Sequence, residues 1–346
     1  MTIPDNVQFT ADPAESLRAF FLSKNYSQIV VLTDENTRRH CYPLISAATP
    51  VSLIIEVKSG EAQKTLETCI HIWQQLTDSL VDRHGCLVVL GGGVLGDMGG
   101  FCAATYKRGI DFVLVPTTLL SQCDASIGGK LGVDFNHFKN HIGVFCFPTL
   151  TLLYSGFLKT LPQHELRSGF AEIIKHTLIS DRSMWNQLSS KTMESQPWDI
   201  LVRHSVEFKA KVTAEDPKEK GLRKILNAGH TIGHALETHL LNRGEQVTHG
   251  EAVAAGLIAE GYIANIRGLL SKEQLDEISR YIRSVYPRIE IDRRAEEEVC
   301  QLILQDKKNR GNKILCVLLN GIGHALWDYE INVDEVKNAL TFYQTL

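Results

Sequence analysis

The stretch CLVVLGGGVLGDMGGF, residues 86–101, decides how the first half of the chain reads. Cys86 to Leu90 is a short apolar, β-branched run with the character of a buried strand. Gly91, Gly92 and Gly93 break it, and a helical pattern follows. Glycines spaced G-x-G-x-x-G between a strand and a helix let backbone N–H groups approach a pyrophosphate, whose charge the helix N-terminus favours. Val94 and Asp97 lie in the same turn. A plain strand-to-helix connection uses the same residue types, so the spacing alone leaves both readings open. A standard Rossmann unit carries an acidic residue about 20 positions further on, after the next strand. Here Asp111 opens that strand instead of ending it. Asp34 and Asn36, just past IVVLT (29–33), are better placed for adenosine hydroxyls, and they are equally ordinary turn residues.

Working outward, IVVLT, VSLIIEV (51–57), CLVVL and DFVLVP (111–116) alternate with helical patterns such as 62–80. Strands alternating with helices predict a parallel-rich sheet covered on both faces, a Rossmann-like α/β domain. From about residue 163 the texture changes to long amphipathic patterns at 163–179, 196–214, 222–240, 248–268, 272–284 and 293–305. A short β-like pair at 313–328 turns at Asn320-Gly321. Gly156 and Pro162 punctuate the change of texture. The expected organisation is an α/β domain over residues 1–160 and an all-α C-terminal domain over 161–346.

A chain of 346 residues exceeds the size at which single cores stop growing, in keeping with two domains. Its 44% hydrophobic and 22% charged residues describe a globular protein, and a net charge of −4 argues against a nucleic-acid partner. Eight cysteines with no Cys-x-x-Cys pair read as reduced, mostly buried thiols. MTIPDNVQFT has neither the basic nor the apolar region of a signal peptide, and no apolar run reaches the ~18 residues of a membrane span. The cytoplasm is the expected location, with no membrane partner.

Two further regions concentrate chemistry. Between 105 and 143, Arg108, Thr117, Thr118, Asp124, Lys130, Lys139 and Asn140 are interleaved with glycines and apolar residues. Thr117-Thr118 close a predicted strand at its C-terminal end, where open α/β sheets bind ligands. Lys130 after Gly128-Gly129 reads as a phosphate or carboxylate contact, although a lone lysine is more often solvated surface. In SGFAEIIKHTLI (168–179), Glu172, Lys175 and His176 interrupt an apolar pattern; a surface i, i+3 ion pair is the plain alternative. In LNAGHTIGHALETH (226–239), His230 and His234 share a helix face, and His249 opens the apolar run that follows. Nitrogen and oxygen donors without thiolate suit a catalytic zinc site. Spacing alone nominates both His230 and His234.

The segments GGGVLGDMGGF, VPTTLLSQCDASIGGKLGVD, KNHIG, SGFAEIIKH, GLRKILNAGHTIGHALE and HGEAVAAGLIAEG, in order over roughly residues 91–260, resemble the 3-dehydroquinate synthases within the sugar phosphate cyclases. The resemblance implies a redox-neutral cycle on 3-deoxy-D-arabino-heptulosonate 7-phosphate in the shikimate pathway. NAD oxidises a hydroxyl, phosphate is eliminated, the hydride returns and an aldol step closes the ring. It implies zinc, or cobalt in its place, on Glu172, His230 and His249, and it moves His234 to proton handling near the substrate phosphate. It assigns Lys130, Asn140, Arg108 and one of Lys307 and Lys308 to the phosphate, with Arg108 reaching across a homodimer interface. Arg223, Asn227, Lys209, Lys175, Asp124 and Glu219 correspond to contacts with the substrate carboxylate and hydroxyls. Asp34, Asn36, Glu61, Lys64, Gly91, Gly92, Gly93, Val94, Asp97, Thr117, Thr118, Lys130, Lys139, Phe157 and Thr160 correspond to cofactor positions. The chain departs from the pattern at Leu131, where threonine is usual, and at Ala228, where a bulkier apolar residue is common. Competing readings are an inosose or valiolone synthase, a metal-dependent polyol dehydrogenase that releases NADH, and a non-enzymatic metal-stabilised module.

Overall fold

A computed structural model describes residues 3–48, 51–136, 138–304 and 313–346. It separates into two compact units, Met1–Pro162 and Gln163–Leu346.

Unit 1 runs β1 (Val7–Phe9), α1 (Pro13–Leu22), β2 (Ile29–Asp34), α2 (Glu35–His40), β3 (Leu53–Val57), α3 (Leu66–Asp78), β4 (Cys86–Gly91), α4 (Gly93–Thr105), β5 (Asp111–Pro116), β6 (Lys130–Phe135), β7 (Phe138–Phe145) and β8 (Leu150–Leu153). Six of these strands form one sheet in the order β1-β8-β5-β4-β2-β3, and every pairing in it is parallel. Every residue of β2 and β4 is buried, as expected of parallel strands covered on both sides. Alternate side chains divide the core. Val30, Leu32, Leu87 and Val89 pack with Ile72 of α3 and Met98 of α4. Val31, Val88 and Leu90 face the other way, with Leu17 of α1 and Ile45.

The four anticipated strands are present, and four others were not anticipated. β1 is three residues and β8 four, too short for a periodic signal. β6 and β7 form an antiparallel hairpin inside the polar stretch 105–143, where glycines and charges hide the strand pattern.

Unit 2 runs α5 (Gln163–Ser180), α6 (Arg182–Ser189), α7 (Trp198–Glu215), α8 (His230–Asn242), α9 (His249–Ile266), α10 (Lys272–Val285), α11 (Arg293–Leu304), β9 (Ile314–Leu319), β10 (Ala325–Ile331) and α12 (Val333–Gln344). It is helical apart from the antiparallel pair β9–β10, which is the expected β-like segment. The single helical pattern expected over 222–240 is corrected by the structure. A short 3-10 segment, Leu222–Asn227, precedes α8, and the two are separated at Gly229, whose φ of 76° no helix interior allows. A Cβ at Gly229 would lie 2.9 Å from the Val253 carbonyl oxygen, and one at Gly256 would lie 1.9 Å from the Gly229 carbonyl oxygen. The absence of side chains at these two positions lets α8 and α9 pack backbone against backbone. Among the described residues, no helix is long and apolar enough to cross a membrane.

Candidate active site

In unit 1 the glycine turn joins β4 to α4. Gly92 precedes α4 with φ −75°, so close approach rather than backbone handedness excludes a side chain there. An added Cβ would lie 2.9 Å from Thr118 Cγ2. No side chain caps α4, which leaves its first N–H groups available to an anion. The Thr117 N–H donates to the Gly91 carbonyl at 3.0 Å, so β5 ends beside the turn. Gly91, Gly92, Gly93, Asp97, Pro116 and Ser121 line a small open cleft.

Lys64 joins this turn to the hairpin. Its Nζ donates to Asp97 Oδ2 at 2.6 Å and to Asn140 Oδ1 at 2.5 Å, with its side chain 5% exposed. The hairpin is held again by Asp134, whose N–H donates to the Lys64 carbonyl and whose Oδ1 accepts the Asn140 N–H at 2.7 Å. A cofactor candidate pair and a phosphate candidate are thereby brought together. Asp34 caps α2, its Oδ1 accepting the Thr37 N–H at 2.7 Å, so its reading as a turn residue is realised. Asn36 donates to Ser59 Oγ, and Glu35 accepts from both the N–H and the hydroxyl of Ser59. These bonds hold the loop that leads into Glu61.

The remaining unit 1 candidates are more dispersed. Glu61, Arg108, Lys130, Lys139 and Thr160 are exposed, and Val94 is half-buried in the first turn of α4. Arg108 follows Lys107 in a doubly left-handed turn, with φ of 69° and 49°. Thr118 Oγ1 donates to Ser121 Oγ at 2.9 Å, and Asp124 lies in the π-helical turn Ser121–Ala125. Phe157 is core, packed with Leu90 and Val115 and edge-on to Tyr154.

In unit 2 three helices each deliver one metal candidate. Glu172 lies in the middle of α5, His230 opens α8 and His249 opens α9. Thr248 and Glu251 cap each other's backbone at the start of α9, and the Gly250 N–H donates to Ser168 Oγ at 3.3 Å, tying α9 to α5. The Glu172 side chain is buried, its Oε2 ion-paired with Lys175. Its Oε1 lies 3.4 Å from His230 Nε2 and 3.5 Å from His249 Nε2. Zinc bonds of about 2.0–2.1 Å in a tetrahedron put neighbouring donors about 3.3 Å apart, so these two distances suit such an ion, and donor atoms of His230, His234 and His249 all lie within 4.8 Å of one another. The outer nitrogens are engaged too, His230 Nδ1 with the Ala228 carbonyl at 3.0 Å and His249 Nδ1 with Glu237 Oε2 at 3.1 Å. Such bonds turn each Nε2 lone pair inward. His234 is also close, its ring centroid 4.9 Å from that of His230 and 5.6 Å from that of His249.

Lys175 makes a buried ion pair with Glu172 Oε2, and His176 Nε2 lies 4.0 Å from the same oxygen. Burial alone would raise the Glu172 carboxyl, but Lys175, His230 and His249 hold it well below the usual carboxylate range. Burial, and then the Lys175 charge, push His230 well down. Burial also opposes protonation of His249, yet Glu172 and Glu237 raise it to about 9. A second group gathers on the loop before α8. Asp216 accepts the N–H groups of Lys220, Gly221 and Arg223, and those bonds hold its carboxyl below the ordinary value. Arg223 is buried, with Nη1 donating to the Pro217 carbonyl, and Asn227 donates to Glu219 Oε1 at 2.9 Å. Lys209 is buried on α7. Lys307 and Lys308 lie outside the described residues.

Sequence reasoning missed Glu237, which engages His249 Nδ1, and the buried Glu260 of α9. For Glu260 the available signal was a single carboxylate within the otherwise apolar run LIAEG, whereas Glu237 stands among His234, Thr238 and His239 and carried no such signal.

A parallel α/β unit whose sheet ends in a glycine turn, followed by a helical unit with a carboxylate–imidazole cluster, defines a class of two-unit enzymes with a built metal-ligand set. Residues 54–168 match the model of the 3-dehydroquinate synthase N-terminal region, and residues 169–309 match that of its C-terminal region. The 3-dehydroquinate synthase of Parabacteroides distasonis is 37% identical over 340 residues, covering 96% of each chain. Among solved structures, a 2-epi-5-epi-valiolone synthase from Streptomyces hygroscopicus subsp. jinggangensis with NAD+ and Zn2+ bound is 26% identical with a TM-score of 0.86, covering 100% of this chain and 98% of that one. A 2-deoxy-scyllo-inosose synthase complexed with carbaglucose-6-phosphate, NAD+ and Co2+ shares the fold at 23% identity and a TM-score of 0.83, covering 96% and 95%. The chain belongs to the 3-dehydroquinate synthase family, which serves the shikimate pathway.

Proposed function

We propose that the protein converts 3-deoxy-D-arabino-heptulosonate 7-phosphate to 3-dehydroquinate and phosphate, as a carbon–oxygen lyase using NAD on unit 1 and zinc or cobalt on unit 2. The convergence of Glu172 Oε1 with His230 Nε2 and His249 Nε2 carries this reading. It occurs in a chain 37% identical to a curated member of the family. When bound, NAD supplies a reversible hydride acceptor and the divalent ion a Lewis acid, which together make phosphate elimination feasible.

The chain's own residues supply binding and proton handling. Lys175 keeps Glu172 ionised, so the carboxylate stays a ligand rather than an acid. Arg223 and Lys209 place buried cations for the substrate carboxylate and hydroxyls, and Asn227, oriented by Glu219, adds an amide. His234 exchanges a proton with the phosphate, for which Lys130, Asn140, Arg108 and Lys307 or Lys308 provide positive or polar partners. Gly91, Gly92, Gly93 and Val94 offer backbone to the cofactor pyrophosphate. Asp34, Asn36, Glu61, Lys64, Asp97, Thr117, Thr118, Lys139, Phe157 and Thr160 surround the rest of the cofactor, and Asp124 supports the substrate network.

Incubation with NAD and the heptulosonate phosphate tests the proposal. The expected result is phosphate and 3-dehydroquinate in equal amounts with no net NADH. Steady NADH accumulation would instead identify a polyol dehydrogenase, and turnover only of sugar phosphates lacking a carboxylate would identify an inosose or valiolone synthase. The protein is further proposed to act in the cytoplasm as a homodimer with Arg108 serving the partner's site. Mixed subunits of Arg108→Ala and Glu172→Ala are then expected to recover activity that neither variant has alone; no recovery would mean self-contained subunits.

A further inference from the structure

Glu260 has no part in that chemistry, yet it is 3% exposed within the apolar helix α9. A buried carboxylate is unfavourable unless its oxygens are satisfied. Its Oε2 accepts the Gly229 N–H at 2.5 Å, and its Oε1 accepts the N–H groups of Thr231 at 3.0 Å and Ile232 at 3.1 Å. These N–H groups belong to the start of α8, which has no side-chain cap of its own because Gly229 stands at the cap position. One helix therefore caps another. His230 lies between the capped residues, and its ring is oriented by the neighbouring Ala228 carbonyl, so the backbone that Glu260 holds also sets the direction of His230 Nε2. The helix that carries Glu260 begins with His249.

We propose that Glu260 is a positioning residue for the metal centre. By capping α8 from within α9 it fixes His230 relative to His249, and its charge offsets the positive helix end beside which a dication would be held. This inference rests on the metal reading above. Glu260→Gln keeps the size of the side chain but turns one acceptor into an amide donor facing backbone N–H groups, so the first turn of α8 must shift.

Zinc affinity of the metal-free proteins, read by competition with a chromophoric chelator, and the visible spectrum of the Co2+ forms test the inference. Wild type is expected to bind one ion and Glu172→Ala none; a wild type that binds none overturns the metal reading itself. Folded Glu260→Gln is expected to bind zinc about 10- to 100-fold more weakly, with an altered Co2+ spectrum. Wild-type affinity and spectrum in that variant would overturn the inference while leaving the metal reading intact, even with a lowered melting temperature, since that result marks a purely structural residue. If the variant folds only with zinc, its melting temperature against zinc concentration gives the same affinity comparison, because the ion stabilises only the folded chain. If it folds at no zinc concentration, Glu260 is a folding residue and the inference is overturned.

Discussion

The two candidate sites are built from different materials. In unit 1 the glycine turn presents backbone, with an uncapped helix start and a cleft beside it, and one lysine ties the turn to a hairpin. In unit 2 the site is made of ionisable side chains, of which Glu172 and Lys175 are buried at 1% and 2% exposure while the His249 side chain is 28% exposed. Backbone N–H groups and helix ends bind anions with little reorganisation. Buried charges are another matter, because each depends on the presence of its partners. The first site should therefore degrade gradually on substitution and the second should fail sharply.

Glu172→Ala is expected to show the largest effect. It removes a ligand and strands Lys175 as a buried cation, so metal measured by mass spectrometry should be lost. A metal contribution of several kcal/mol corresponds to roughly 10³-fold in turnover. Retention of stoichiometric metal would break the assignment of the cluster. Lys64→Met tests the other side of the comparison. It deletes charge-assisted hydrogen bonds worth about 1.5–3 kcal/mol each, but leaves Asp97, 22% exposed, open to water. Titration should find NAD binding weakened roughly tenfold with metal content unchanged. A loss of metal in this variant would show that the two sites do not fail independently.

The smallest effect asks whether a charge in unit 2 is less critical when its partner is exposed, as Arg267 is at 38% against 12% for Glu335. Arg267 Nε donates to Glu335 Oε1 at 2.5 Å in unit 2, and this bond holds the Glu335 carboxyl below its ordinary 4.5. A depressed carboxyl stabilises the fold above the unfolded value and loses that contribution as pH falls through the folded one. Melting curves of wild type and Glu335→Gln should differ slightly at neutral pH and converge in acid. A difference as large as that of a buried pair would contradict the role given to burial.

Much of this was legible in the sequence. CLVVL and the glycines after it mark β4 and the start of α4, because a fully buried parallel strand must be apolar throughout and a tight approach excludes side chains. The long runs mark α5, α7, α9, α10 and α11 to within a few residues, α10 and α11 because the buried stripe of a helix repeats with its turn and α9 because it is apolar nearly throughout. The break at Gly229 was hidden, since residues on both sides of it continue the apolar spacing. β6 and β7 were hidden by their glycines and charges.

For the metal cluster, residue types and spacing determined that a nitrogen and oxygen set was available, but not which members converge. His230 and His234 share a helix face, and packing brings His249 from another helix to both: donor atoms of the three lie within 4.8 Å of one another, and the Nε2 atoms of His230 and His249 also meet Glu172 Oε1. The contacts of Glu237 with His249 and of Glu260 with the start of α8 also emerge only from packing. Sequence periodicity reports which face of an element is buried. Which side chains from separate elements converge depends on how helices such as α5, α8 and α9 pack, and those long-range contacts exist only in the tertiary structure.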